Sequence, residues 1–200
     1  MKIVGLCGGS GSGKSTVASF FSEYGFIPIN TDKIYHELTS KDTECLKELV
    51  GEFGEAILTE SKSLDRRKLA AVVFAKNADK EKHKALNRIA HKHVLSKVRE
   101  LISEYEKVGA VAVMVDAPML FESGFDKECD AVISVTADSD VRAKRIVERD
   151  GIPVEAALAR ISSQLPDCFL VENSDYNIYN DDISALPEKV EKIAKKILNE

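Results

Sequence analysis

An α/β fold, with a parallel sheet between flanking helices in three layers, is the class this sequence predicts, on three observations. Apolar, β-rich runs alternate with helical patterns, the order expected of parallel strands joined by crossover helices. The first such run, residues 3–7, leads through a glycine-rich stretch straight into a helical pattern at residues 16–24. Between Asp32 and Gly109 the pattern is almost wholly helical, so a large helical insert is expected in one connection of the sheet.

The glycine-rich stretch Gly8-Gly9-Ser10-Gly11-Ser12-Gly13-Lys14-Ser15 fits G-x-x-x-x-G-K-[ST], the pattern of a loop that wraps nucleotide phosphates (a P-loop). Strand, loop and helix follow in the order that this pattern requires. Glycines let the backbone turn through positive φ and gather N–H groups into one concavity, to which the positive end of the next helix adds. Gly9, Ser10, Gly11, Ser12, Gly13, Lys14, Ser15 and Thr16 are the expected nucleotide contacts. Lys14 would reach the β and γ phosphates as a point charge, and the Ser15 hydroxyl would sit on a bridging magnesium ion, which prefers hard oxygen ligands.

A second strand at residues 26–30 runs into Thr31 and Asp32, which puts Asp32 at the sheet edge that carries the phosphate loop. A carboxylate there can accept the proton of an attacking hydroxyl, or it can simply cap a helix at residues 33–38. Leu46, Leu49, Val50 and Phe53 fall at helical spacing, and further helices are expected at residues 66–74 and 80–108. The apolar run at residues 111–115 ends in Asp116, either a magnesium-orienting acid of the Walker B kind or a polar residue that closes a buried strand. Another strand is expected at residues 131–135 and a weaker one around 176–178. Between these two, Arg142, Arg145 and Arg149 recur at i, i+3 and i+7, which puts them on one helix face. That face is either a lid that neutralises transferring phosphate or a solvated surface with a favourable dipole pattern. The last helix, at residues 187–198, turns Val190, Ile193, Ala194 and Ile197 to one side.

Composition bounds the partners. Two hundred residues with 44% hydrophobic content suit one domain with a sizeable core. A net charge of −5, with no basic run, gives no support to a nucleic-acid surface. Cys7, Cys45, Cys129 and Cys168 are scattered without a C-x-x-C pair, as expected of reduced thiols. A strand beginning at Ile3 leaves no room for a signal peptide, and no apolar run has the length of a membrane span. A cytoplasmic protein without membrane, nucleic-acid or obligatory protein partners is expected.

The whole chain, from about Lys2 to the final helix, resembles the dephospho-coenzyme A kinase family, in the nucleoside monophosphate kinase-like branch of P-loop enzymes. The resemblance includes the phosphate loop, Asp32, the Arg66-Arg67 pair followed by Leu69 and Val73-Phe74, and His91. The segment Asp116-Ala117-Pro118-Met119-Leu120-Phe121-Glu122 is similar to the family's D-x-P-L-L-[FV]-E, and Arg145, Arg149, Gln164, Asp175, Ile178 and Asn180 keep its spacing. What the resemblance implies is transfer of the γ-phosphoryl group of ATP, with Mg2+, to the 3′-hydroxyl of dephospho-coenzyme A. Asp32 would then be the base, and Lys14, Arg145 and Arg149 would act on the phosphates. Arg66, Arg67, His91 and Glu122 would line or support the acceptor side, with packing the alternative for His91. Asn180 would shape the adenine end of the ATP pocket, and Ser15 and Asp116 would serve the metal. The implied organisation is a core of 1–31, 110–136 and 174–200, a helical acceptor-binding insert at about 32–109 and a lid at about 137–173.

This chain departs from the family pattern at Asn30, where an acid is usual, at His36 for an arginine, at Lys92 for a proline, at Leu170 for a basic residue, and at Asp182 for a glycine. Other readings are a small-molecule kinase with a different alcohol acceptor, or a nucleotide-dependent switch. The GTPase form of a switch lacks its N-K-x-D and D-x-x-G motifs here.

Overall fold

The computed structural model describes residues 1–40, 42–74 and 80–199. Residues 41 and 75–79 of the expected insert, and residue 200 of the expected core, lie outside the described residues. In chain order the elements are β1 (Lys2–Cys7), α1 (Lys14–Ser22), β2 (Phe26–Asn30), α2 (Thr31–Leu38), α3 (Glu44–Phe53), α4 (Arg66–Val73), α5 (Lys80–Lys107), β3 (Ala112–Asp116), β4 (Ala131–Thr136), α6 (Ser139–Asp150), α7 (Val154–Ser162), α8 (Asp167–Glu172), β5 (Tyr176–Tyr179) and α9 (Leu186–Asn199).

The five strands form one sheet in the order β2-β3-β1-β4-β5, with every pairing parallel. This is the parallel α/β architecture that the alternating pattern predicts. All residues of β3 and β4 are buried, as near-continuous apolar strands are when a parallel sheet is covered on both faces. On one face Val4 and Leu6 of β1 pack with Val17 and Phe21 of α1 and with Val190, Ala194 and Ile197 of α9. Phe21 and Phe26 meet edge to face at 5.1 Å, and burying a ring of this size contributes roughly 1.5–3 kcal/mol. On the other face Gly5 lies against the side chains of Leu120 and Cys129, where a Cβ would come within 2.8 Å of Leu120.

Two elements have bounds that differ from expectation for local reasons. α1 starts at Lys14 rather than 16 because Gly13 already supplies its left-handed N-terminal turn, and it stops at Ser22, ahead of Gly25 at φ 85°. β3 is shifted one residue, to Ala112–Asp116, because Lys2 pairs with Ala112 and leaves Val111 59% exposed ahead of the ladder.

By its contacts the chain divides into two compact units, Met1–Asn30 with Leu101–Glu200, and Thr31–Glu100. The first holds the sheet. The second has its own core of Cys45, Leu49, Ile57, Leu69, Val73 and Ile89. Among the described residues no helix is long and apolar enough to cross a membrane.

Candidate active site

The strands are parallel, so β1, β3 and β2 deliver their carboxyl ends to one edge of the sheet, the edge at which open α/β sheets bind ligands. β1 ends at Cys7 and opens into the glycine-rich loop. Burial pushes the Cys7 thiol up to about 11, so it is a neutral packing group at physiological pH. Gly13 stands at φ 91°, in the left-handed region, and a Cβ there would strike Nδ2 of Asn180. Gly9 is required for a different reason, since a Cβ would run into the guanidinium of Arg142. The first helical bond runs from the Val17 N–H to the Gly13 carbonyl, 3.1 Å, and the N–H groups ahead of it form the electropositive end of α1.

The loop is held from behind by its carbonyls. Arg142 donates from Nε to the Ser10 carbonyl at 3.0 Å, and Arg145 from Nη1 to Gly11 at 3.2 Å. Asn180, 1% exposed, donates from Nδ2 to Ser12 at 2.7 Å. In a trans peptide the following N–H points opposite its carbonyl, so fixing the Ser10 and Ser12 carbonyls also fixes the direction of the Gly11 and Gly13 N–H groups. The Ser12 N–H closes a turn on the Gly9 carbonyl at 3.1 Å. Lys14 donates from Nζ to the Gly8 carbonyl at 2.8 Å, which keeps its ammonium along the loop.

Asp116 ends β3 in register with Leu6 of β1 and Asn30 of β2, which sets its buried carboxylate between the ends of those two strands. Its Oδ2 accepts from Nδ2 of Asn30 at 3.1 Å. The neutral amide at position 30 therefore meets the acid as a donor, where a second acid would repel it. Asp116 and the Ser15 hydroxyl, exposed in the first turn of α1, are hard oxygen donors of the kind magnesium takes. Among the described residues no cluster of three or more His, Cys, Asp or Glu is arranged to hold a metal. This donor set fits an ion that draws its remaining ligands from substrate phosphates and water. Glu122 is exposed in the segment after β3, where its charge is felt by the Cys7 thiol.

The three arginines of α6 do not share one environment. Arg142 is 4% exposed, which removes the solvated-face reading for it. Arg145 adds a bond from Nη2 to the Asn180 carbonyl at 3.0 Å. Arg149 instead pairs with Asp150, at 2.7 Å from Nε and 2.9 Å from Nη2, and Arg160 reaches the same carboxylate at 2.5 Å. The two guanidinium groups hold the Asp150 carboxyl far below the usual range.

Within the second unit, Asp32 is exposed in the first turn of α2, which begins at Thr31. That corrects the capping alternative: Thr31 is already helical, so Asp32 lies inside the helix. α4 is capped by Asp65, which accepts from the N–H groups of Arg67 and Lys68 at 3.0 and 3.1 Å and so sets Arg66 and Arg67 at a helix N-terminal end. Arg66 is hydrogen-bonded to Nε2 of His36 and lies over the Tyr35 ring at 5.8 Å. Position 36, a departure from the family pattern, thus supports an arginine rather than supplying one. Lys92 and His93 both reach Glu48, at 2.8 and 2.7 Å. His91 is half-buried, its buried Nε2 has no hydrogen-bond partner among the described residues, and burial lowers its pKa.

The family model for CoaE, dephospho-CoA kinase, matches residues 2–185. The chain belongs to the dephospho-CoA kinase family. A dephospho-CoA kinase of Fusobacterium nucleatum is 38% identical over 196 residues, covering 98% of each chain. The solved structure of TT1252 from Thermus thermophilus superposes with a TM-score of 0.82 at 30% identity, covering 98% of this chain and 96% of that one. A dephospho-CoA kinase from Campylobacter jejuni gives 0.70 at 27% identity, covering 98% and 97%.

Against the family pattern, the Asn30–Asp116 contact yields a prediction. Asn30→Asp would face two carboxylates across the same hydrogen-bond distance, and one of them would hold its proton well above the ordinary range. A carboxyl whose pKa is raised by folding gives up stability as pH climbs from its unfolded value to the raised one. The variant's stability deficit against the parent should therefore grow from pH 4 to pH 8, by about 1.4 kcal/mol for every tenfold weakening of that acid. Denaturant melts in metal-free buffer would show it, and a deficit independent of pH would mean that the two side chains do not share the site.

Proposed function

We propose that the protein transfers the γ-phosphoryl group of ATP to the ribose 3′-hydroxyl of dephospho-coenzyme A, giving coenzyme A and ADP, the last step of coenzyme A synthesis. The family match over residues 2–185 carries this reading. The phosphate loop, with three consecutive carbonyls held from behind, supports the nucleotide part of it. ATP as co-substrate follows from membership of a kinase family.

In the reaction a bond forms between the acceptor oxygen and the γ-phosphorus as the bond to the bridging oxygen of ADP breaks. Such transfer is governed by position and charge stabilisation. Gly9, Ser10, Gly11, Ser12, Gly13 and Thr16 contribute the loop and the first turn of α1, and Lys14 supplies the charge against the phosphates. Asn180 shapes the nucleotide end by holding the loop at Ser12. Asp32 takes the hydroxyl proton. Arg145 and Arg149 face charge developed on the transferring group, and the exposed Arg149–Asp150 pair is worth little in water and is readily exchanged for phosphate. Arg66 and Arg67, at the positive end of α4, with His91 and Glu122, serve the acceptor. Ser15 and Asp116 would hold Mg2+, which would supply charge neutralisation when bound. A location in the cytoplasm, with small-molecule partners only, completes the proposal.

The test is incubation with magnesium and ATP against dephospho-coenzyme A, adenosine, a nucleoside monophosphate and shikimate, with products identified by mass. Coenzyme A alone is expected. A different phosphorylated product would reassign the acceptor, and ATP hydrolysis with no phosphorylated acceptor would favour a switch.

A further inference from the structure

One side chain in this protein is more completely engaged than any role above requires. Arg142 is 4% exposed, and each of its three guanidinium nitrogens has a partner. Nε donates to the Ser10 carbonyl at 3.0 Å, Nη1 to Asp167 Oδ1 at 2.9 Å, and Nη2 to Gln164 Oε1 at 3.3 Å. The same Gln164 oxygen accepts from the Ser10 N–H at 2.8 Å. Ser10 is therefore gripped at both its N–H and its C=O by a pair of side chains that also bond to each other. The backbone of Arg142 closes on the loop as well, since a Cβ at Gly11 would come within 2.6 Å of its carbonyl oxygen.

We propose that Arg142, acting with Gln164, is a positioning residue for nucleotide phosphate binding, fixing the Ser10 peptide so that the Gly11 N–H is presented to the phosphates. The inference rests on the reading of the loop as the ATP site. Burying a guanidinium is costly unless its donors are satisfied, and here the donors are used to orient one peptide plane and to tie the starts of α6 and α8 to the loop. Asp167, at the first position of α8, balances the charge from a side chain one-third exposed. A consequence is that the root of the expected lid is fastened to the phosphate loop. Ser10 itself acts through its peptide orientation, because its own N–H is given to Gln164.

Arg142→Gln, Arg142→Lys and Gln164→Ala test this. ATP and ADP binding would be followed by calorimetry without acceptor, and KM for each substrate would be measured in the coupled reaction. Losing a charge-assisted bond to the loop should weaken ATP and ADP about tenfold to hundredfold in Arg142→Gln, while KM for dephospho-coenzyme A stays within about twofold. Lysine keeps the charge but not the three-way fork, so Arg142→Lys should lie nearer to Gln than to the parent. Should Arg142→Gln not fold, Gln164→Ala carries the test, with weakened ATP expected and unchanged ATP affinity overturning the proposal. Unchanged ATP affinity in folded Arg142→Gln, or equal losses toward both substrates, would also overturn it. A parent protein that binds no ATP would instead sink the reading of the site.

Discussion

Lys14→Ala should lower turnover by about a thousandfold while leaving the thermal midpoint within a few degrees of the parent. The bond from its Nζ to the Gly8 carbonyl is an ordinary one in a partly exposed setting, worth about 1 kcal/mol net. In the reaction the same ammonium would face phosphate charge that grows toward the transition state, in a site closed to water, where a fixed charge counts for much more. Folding and turnover are therefore expected to separate. The measurements are kcat with both substrates saturating and a melt of the same preparation. If the melt falls as far as the turnover, Lys14 is a folding residue and its assignment to the phosphates is wrong.

Asp32→Asn is expected to cost between about a hundredfold and ten-thousandfold in kcat, the range that a positioned base contributes. Asparagine keeps the size of the side chain and accepts hydrogen bonds, but it cannot take a proton, so binding and proton transfer are tested apart. KM for dephospho-coenzyme A should change much less than kcat. Asp32 is exposed in the first turn of α2, so a well-folded variant is expected. Near-parent kcat would place the base elsewhere or leave the proton to solvent, and a rise confined to the acceptor KM would make Asp32 a binding residue.

How much of this site could be read from the chain varies with the distance over which its parts interact. The phosphate loop was fully legible, because strand, loop and helix are contiguous and glycine spacing sets the backbone path locally. The arginines of α6 were legible only as a row. Arg142, Arg145 and Arg149 share a face by helical spacing, yet Arg149 lies about 10 Å further along the axis than Arg142. The loop reaches only the first turns, so Arg142 is buried on Ser10, Arg145 reaches Gly11, and Arg149 turns to Asp150. Gln164 and Asp167 gave no periodic signal at all, since their partner stands more than twenty residues away. The role of Asn30 was likewise hidden, because only the β2–β3 register sets it opposite Asp116.

The parallel α/β class, the place of the phosphate loop, the helical insert and membership of a kinase family are all written in the chain, because they follow from local periodicity, glycine conformational freedom and contiguous motifs. Which side chains hold the loop's carbonyls, and which donor meets Asp116, is settled by folding alone. Those contacts join residues 86 to 168 positions apart, where a hydrogen bond needs its atoms within about 3 Å, and only the packed sheet and its crossover helices bring them that close.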